Sequence, residues 1–479
     1  MTGYTPERNV GITVLEINQL RSIHESTLEL MENAGMRIEG EKARGLLKAG
    51  GCLTGKDNLT RIPSRLVNKA LKSAPKEIVL YTRDGDPFIT VNHENQVFFG
   101  THADQLEILD PFTGRVRKFK KADIALMCKV AEALPNINFV LSVGLASDMP
   151  PKTQSQAAFI ETVRNFSKPI NFSTNDLQGL KDIIEIASAV AGSAERLRQK
   201  PFIFHYCEPI PPLTHPAEST DKLCICAEHS IPVVYMPYCM MGGTSAMSFA
   251  GTLVQCNAEV LTGLVISQLA NKGTPFIYGA MPSILDMRTT IGSYGAPELH
   301  LLIAAASEMA NHYGIPFYGT AGCTDAKFLD EQSVAEATFQ IFSTLLSYAN
   351  IIHDVGIMDH CNSVSPELVV LADEIIEGLK HYSRGVRVDN ESLTLDLIKK
   401  VGPGGHFLNE EHTLANFKQI WYPNLFSRRM SQGSESEVRG RIRQRLLDIR
   451  DNHIPPRLDE RAGRELQAWD TRFSGKAPV

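Results

Sequence analysis

The chain has 479 residues, 21% of them charged and 43% hydrophobic, with a net charge of -6 and a pI of about 6.2. That length holds a large core or several domains, and the composition is ordinary for a soluble globular protein. The acidic balance argues against a nucleic-acid footprint. The longest apolar run, Ala258 to Ala270, carries Glu259 and Gln268 and is too short and too polar to span a bilayer.

Residues Val14 to Ala74 read as largely helical, with Leu20, Ile23, Leu30, Met31 and Ala34 on one face. Ile62-Pro63-Ser64 opens a further helix, its proline near the first turn. From Glu77 to Asp110 the pattern becomes strand-like: Ile78–Tyr81, Phe88–Val91 and Val97–Phe99, separated by turn-rich segments. Residues 1 to 130 are therefore read as a helical cap with small β elements.

A regular alternation follows. Strand-like runs occur at Ile137–Ser142, Pro169–Phe172, Pro201–Phe204, Pro232–Tyr235, Pro275–Tyr278, Pro316–Tyr318 and Ile351–His353. Helical patterns lie between them, as at Thr153–Asn165, Leu180–Ala191, Phe249–Ala270, Pro297–His312 and Gln332–Tyr348. Five of the strands open with proline, at the position where a ladder donor is dispensable. Strand and helix at this cadence mean βαβ units and a parallel sheet. Seven clear units, with an eighth strand near Arg384–Val388, point to a (β/α)8 TIM-type barrel over residues 131–430. No Gly-x-Gly-x-x-Gly turn supports a doubly wound sheet instead. Residues 431–479 form a C-terminal helical tail, and its arginine run from Arg439 to Arg445 reads as a solvated face.

Nine scattered cysteines are an odd count and no disulfide framework, which fits reduced thiols. The first residues show no basic segment followed by an apolar one, so no secretory signal and a cytoplasmic location are expected.

In a barrel of this kind the site is built from strand ends and the loops that follow them. Those ends are rich in tyrosine, methionine and small residues and poor in lysine and arginine. Phe99, Tyr206, Tyr235, Tyr238, Tyr278 and Tyr318 are candidate walls, with Glu208 as a counter-charge. Aromatic faces with a carboxylate suit a cation that lacks hydrogen-bond donors, such as a quaternary ammonium. His102, His205, His353 and Arg288 are placed to meet an anionic group. The same histidines also read as satisfied structural residues. His353, Asp354, His360 and Cys323 allow a second reading, a metal- or thiol-dependent lyase or hydrolase. No His-x-x-x-His or Cys-x-x-Cys pair supports a metal site, and Cys323 has no histidine partner legible in the sequence. A third reading is a non-catalytic binder of quaternary amines.

Several segments carry a resemblance: Tyr318-Gly-Thr-Ala-Gly-Cys-Thr-Asp-Ala-Lys327 with Asp330-Glu-Gln332, Tyr278-Gly-Ala280, Met240-Met-Gly-Gly-Thr244 and Leu30-Met-Glu-Asn-Ala-Gly35. From about residue 15 to 425 the chain resembles the trimethylamine methyltransferase family, and in particular its members without pyrrolysine. The resemblance implies a barrel enzyme that moves a methyl group from a methylated amine to the cobalt of a separate corrinoid-binding protein. The corrinoid (cobalamin) is then held by that partner, and no metal or cofactor is expected in this chain. It also implies that the counterpart of pyrrolysine falls in or near Gly319–Cys323, where only standard residues stand. His353 with the loop glycines Gly319 and Gly322 are the expected catalytic positions. Loss of the special residue favours a substrate that needs no activation, a quaternary amine, with glycine betaine first among the candidates. A homo-oligomer is expected, with no nucleic acid and no membrane.

Overall fold

The computed structural model describes residues 10–92, 96–101, 104–428 and 437–474. Eight parallel strands close on themselves: β1 Phe98–Thr101, β2 Ile137–Leu141, β3 Ile170–Phe172, β4 Ile203–Cys207, β5 Val233–Tyr235, β6 Phe276–Gly279, β7 Phe317–Thr320 and β8 Ile351–Val355. Each is followed by a helix: α1 Lys121–Ala133, α2 Gln154–Asn165, α3 Leu177–Ala191, α4 Ala217–His229, α5 Phe249–Ala270, α6 Pro297–Tyr313, α7 Glu331–Leu346 and α8 Pro366–Tyr382. This is the (β/α)8 barrel expected from the alternation.

The eighth strand is a correction. Arg384–Val388 is irregular, with Val386 86% and Val388 73% exposed. The barrel is closed instead by Phe98–Thr101, ahead of residue 131, which pairs with β8 through Ile351–Phe98 and Val355–Thr101 and with β2 through Phe99–Ile137.

Local chemistry sets the boundaries. The prolines before β3 to β7 have no N–H, but their carbonyls serve the ladder: His205 N–H donates to Pro232 O at 2.8 Å and Tyr278 N–H to Pro316 O at 2.8 Å. Four barrel helices open on a side chain that accepts an otherwise orphan N–H: Asp176 from Gly179, Ser248 from Gly251, Asp330 from Ser333 and Ser365 from Leu368. The 22-residue α5 is long and apolar enough to cross a membrane, yet most of it is buried in this fold. Its Asn257, Glu259 and Gln268 each make hydrogen bonds inside the protein.

Two small sheets stand over the mouth and tie loops together. One joins Glu107–Leu109 and Val116–Lys118, after β1, to Ile357–Met358 and Ser363–Val364, after β8. The other joins Met240–Met241, after β5, to Ser283–Leu285 and Gly292–Ser293, after β6. The N-terminal helices Ile17–Glu29 and Ser64–Ser73 lie against α5. In the C-terminal tail, Glu437–Asn452 buries Ile442, Leu446 and Ile449, so its arginines flank a packed face.

Candidate functional site

Side chains alternate along a strand between the lumen and the helix layer. On β4 the inward set is Phe204 and Tyr206, continued by Glu208. The Phe204 ring lies 5.6 Å from Phe139 and 6.4 Å from Tyr318, and Tyr206 lies 6.1 Å from Tyr318 and 5.9 Å from His353. The Tyr206 hydroxyl donates to the Glu208 carboxylate. The outward member, His205, has Nδ1 2.9 Å from the Phe172 carbonyl and its ring 4.8 Å from Phe172.

From the opposite wall Tyr318 on β7 reaches across and donates its hydroxyl to Asn171 Oδ1 on β3 at 2.8 Å. Its ring stacks on the His353 imidazole, with centroids 4.8 Å apart and planes at 22°. His353 Nδ1 is 2.5 Å from Asp354 Oδ1 but off the N–H line, an ion-pair distance rather than an aligned hydrogen bond. His353 Nε2 is buried and has no hydrogen-bond partner. Asp354 accepts from the Thr320 hydroxyl and holds a left-handed φ of 75°. A non-glycine residue in that region costs on the order of 1–3 kcal/mol and is held by its surroundings, often at a functional site.

The mouth is acidic. Glu208 is reached by solvent through the open mouth but is surrounded by protein atoms, and that burial raises its pKa against the opposing hydrogen bond from Tyr206 and the proximity of His353. Asp104, after β1, accepts from the Ser173 hydroxyl, and burial pushes it up to about 6. Burial also holds the Tyr206 and Tyr318 hydroxyls protonated, far above their usual range. The nearby cation Lys222 belongs to α4, where Nζ donates to the Thr174 carbonyl at 2.6 Å and pairs with Glu218 at 2.6 Å. An apolar-walled mouth with Asp104, Glu208 and Asp354 around it attracts positive charge.

Tyr206, Glu208, Tyr318 and His353 are thus brought together. Four other candidates are not, because their strand positions face the helices. Tyr235 stacks on His215 and its hydroxyl lies 2.8 Å from His215 Nδ1. Tyr278 donates to Asn257 Oδ1 on α5 at 2.9 Å. The Phe99 ring has Lys380 Nζ of α8 5.9 Å from its centroid. His205 sits with α4, and burial, helped by the Lys222 charge, pushes it down to about 3, so it is neutral at neutral pH and gives no positive charge to a ligand. Tyr238 lies at the rim, its ring 6.3 Å from Tyr294. Arg288 is exposed on the loop after β6. His102 lies outside the described residues. Gly319 points outward: a Cβ there would meet Phe317 at 2.7 Å and Ile303 of α6 at 3.3 Å. Gly322, with φ of 79°, turns the strand end so that Val355 lies 3.1 Å from where its Cβ would be.

Cys323 is a buried thiol whose Sγ is 3.1 Å from Gln340 Oε1, and burial raises its pKa well above the usual thiol range. His360 Nδ1 is 3.0 Å from Asp325 Oδ1, which also accepts from Tyr294 N at 2.7 Å. Among the described residues no three His, Cys, Asp or Glu converge as a metal ligand set.

Asn171, Thr320 and Ser173 were absent from the sequence-derived candidates. Phe139 and Phe204 close the lumen below them. The signal available was the period of two: once Tyr206 faces inward, Phe204 and Glu208 must follow it and His205 must not.

The model of the family "Trimethylamine methyltransferase (MTTB)" matches residues 4–475. A glycine betaine methyltransferase of Desulfitobacterium hafniense (strain Y51) is 32% identical over 467 residues, spanning 95% of this chain and 96% of that protein. The trimethylamine methyltransferase MttB of Desulfitobacterium hafniense (strain DSM 10664 / DCB-2) is 30% identical over 463 residues, spanning 96% of this chain and 93% of that protein. Among solved structures, the monomethylamine methyltransferase MtmB of Methanosarcina barkeri aligns at a TM-score of 0.49 and 14% identity, covering 96% of this chain and 94% of that one. With the family's model matched from residue 4 to residue 475, the chain belongs to the trimethylamine methyltransferase family.

Proposed function

We propose that this chain transfers a methyl group from a quaternary amine, glycine betaine first among them, to the Co(I) of a separate corrinoid protein. The observation that carries this reading is the convergence of the Tyr206, Tyr318 and His353 rings with the Glu208 and Asp354 carboxylates in one mouth. The relative named as a glycine betaine methyltransferase supports the choice of substrate.

A quaternary ammonium already carries its positive charge. When its C–N bond breaks, nitrogen keeps the electron pair and leaves as a neutral tertiary amine. The nucleophile's pair forms the new bond to carbon, and no proton has to move. Reduced cobalt in a corrinoid supplies that nucleophile. The chain's own task is to align the methyl group and exclude water. Tyrosine faces and the two carboxylates hold the ammonium by cation–π and Coulomb attraction. His353 Nε2, buried and unpartnered, is the donor we assign to the carboxylate of a betaine. The loop after β7 is held by its own hydrogen bonds. Ala321 N–H is tied to the His353 carbonyl at 3.1 Å and Cys323 N–H to Gln340 at 2.9 Å, while Thr320 is taken up by Asp354.

The test is turnover with the reduced corrinoid protein, followed by cobalamin absorbance and by the demethylated amine. Glycine betaine should give dimethylglycine in step with methylcobalamin, and trimethylamine should not react. Reaction of trimethylamine alone overturns the substrate. Tight betaine binding without turnover under complete conditions makes the chain a binder and overturns the activity.

A further inference from the structure

Between Tyr382 at the end of α8 and Trp421 the chain makes an excursion that has no core of its own. No residue between Ile376 and Leu425 is buried, and the short helices Leu395–Val401 and Glu411–Asn416 bury none of their side chains. Yet this arm is not polar. Between Tyr382 and Tyr422 twelve large apolar side chains are at least 42% exposed, among them Leu395 58%, Leu408 81%, Leu414 74%, Ile420 53% and Tyr422 63%. With a large side chain offering roughly 150–250 Å², twelve at about half exposure come to about 1,000 Å². Each partner in a stable complex contributes about 800 Å², and the largest apolar patch on a monomer is about 300–600 Å².

The arm is nonetheless held in place. Trp421 packs against α8 at Gly378, where a Cβ would lie 3.1 Å from the indole, and Leu425 N–H donates to Glu374 Oε1 at 2.8 Å. Within it, Lys400 pairs with Glu410 at 2.6 Å and the Thr413 hydroxyl donates to the Phe407 carbonyl at 2.6 Å. A segment folded on both ends and in its middle, but apolar on the outside, has a surface made to be covered.

We infer that this arm is the interface through which a second copy of the chain binds. Its root lies away from the mouth. Helices of the barrel run antiparallel to its strands, so the end of α8, where the arm is rooted, lies at the face opposite the strand C-termini. Ser383 O accordingly accepts from Val10 N–H, in the N-terminal segment. Its chemistry excludes a partner that comes and goes each turnover, because transient interfaces are no more apolar than ordinary surface. Permanent apolar cover is typical of obligate homo-oligomers, in which the same patch serves both subunits about a twofold axis.

Sedimentation velocity of the full chain at micromolar concentration tests this, with Leu408→Glu/Leu414→Glu as the variant and Leu53→Glu, 71% exposed on the N-terminal sheet, as the control. The wild type and the control should sediment as a dimer or larger assembly. The double variant should dissociate, its dissociation constant rising at least about 100-fold, in line with two centrally placed anchors, with an unchanged far-UV spectrum. A monomeric wild type, an arm variant that associates as tightly as the wild type, or equal dissociation by Leu53→Glu overturns the inference. Hydrogen exchange on the wild type gives an independent reading. Amides of 395–401 and 411–416 should gain protection as concentration rises, and protection that does not depend on concentration overturns it as well.

Discussion

Tyr318 and His353, neighbours on β7 and β8, lie face to face across 4.8 Å while the Tyr318 hydroxyl is fixed to Asn171 on the far wall. One ring therefore carries the imidazole's orientation across the lumen, and Nε2 is left as the free end of that arrangement.

Removing the imidazole should show in catalysis before it shows in stability. His353→Ala should lower kcat/KM for glycine betaine by at least about 100-fold, the order expected when a positioned polar contact to the substrate is lost. Steady-state kinetics with the corrinoid protein measure this. A variant within twofold of wild type places the carboxylate donor elsewhere.

Acid should weaken ammonium binding. Asp104 is raised to about 6 and Glu208 is raised in the same direction, both by burial. Once deprotonated, both are carboxylates and attract the cation. As pH falls, Asp104 takes up its proton through about 6, Glu208 is protonated in the same sense, and the attraction is lost. Calorimetric Kd for glycine betaine should rise between pH 7 and 5, and Glu208→Gln should show a higher Kd at pH 7 with a flatter profile. The same shift bears on stability with the opposite sign: a carboxyl raised in the folded state binds protons more tightly there, so Asp104 opposes folding above its folded value and less so as pH falls towards the unfolded one.

Tyr278 should matter to the fold and not to the substrate. Its hydroxyl donates to buried Asn257 Oδ1, and Asn257 in turn donates to Thr27 Oγ1 at 3.0 Å and to the Tyr313 hydroxyl at 2.8 Å. Tyr278→Phe leaves one of those acceptors unmet and should cost about 1–3 kcal/mol in denaturant unfolding. KM should be unchanged.

Gly263→Ala is a sharper test of helix-to-sheet packing. In an exposed helix that change gains up to about 1 kcal/mol. Here the new Cβ would run into the ring of buried Tyr235, and overpacking of that kind costs typically about 1–3 kcal/mol. The second effect should win, and the melting temperature should fall.

Most of the barrel was legible because its strands are short β-branched and aromatic runs marked by a preceding proline, each followed by a long helix. β1 reads as a strand at Val97–Phe99 in the sequence but as part of the cap, and its setting explains why. Phe98–Thr101 is four residues long, follows a hairpin, and closes the barrel by pairing both with β2 and with β8, some 250 residues later in the chain. Arg384–Val388 offered an alternating pattern but finds no strand to pair with. Within the site, residue types at the strand ends were visible while the face each presents depends on the register of its strand. Tyr235 and Tyr278 looked equivalent to Tyr206 and Tyr318, although the alternation on each strand separates them. Asn171 carried no signal of its own: an asparagine within a short apolar strand shows its role only when the Tyr318 hydroxyl is found beside it.

Closure by β1 also sets a timetable. During synthesis this strand emerges with about the first fifth of the chain, and its edge next to β8 stays bare until residue 355 has been made. Until then the βα units can assemble only as an open, growing sheet. The mouth, whose floor joins β7, β8 and β3, cannot exist before that last strand arrives. A chain cut short just ahead of Ile351 would carry seven of the barrel's eight helices and no complete mouth, with two sheet edges open to other chains.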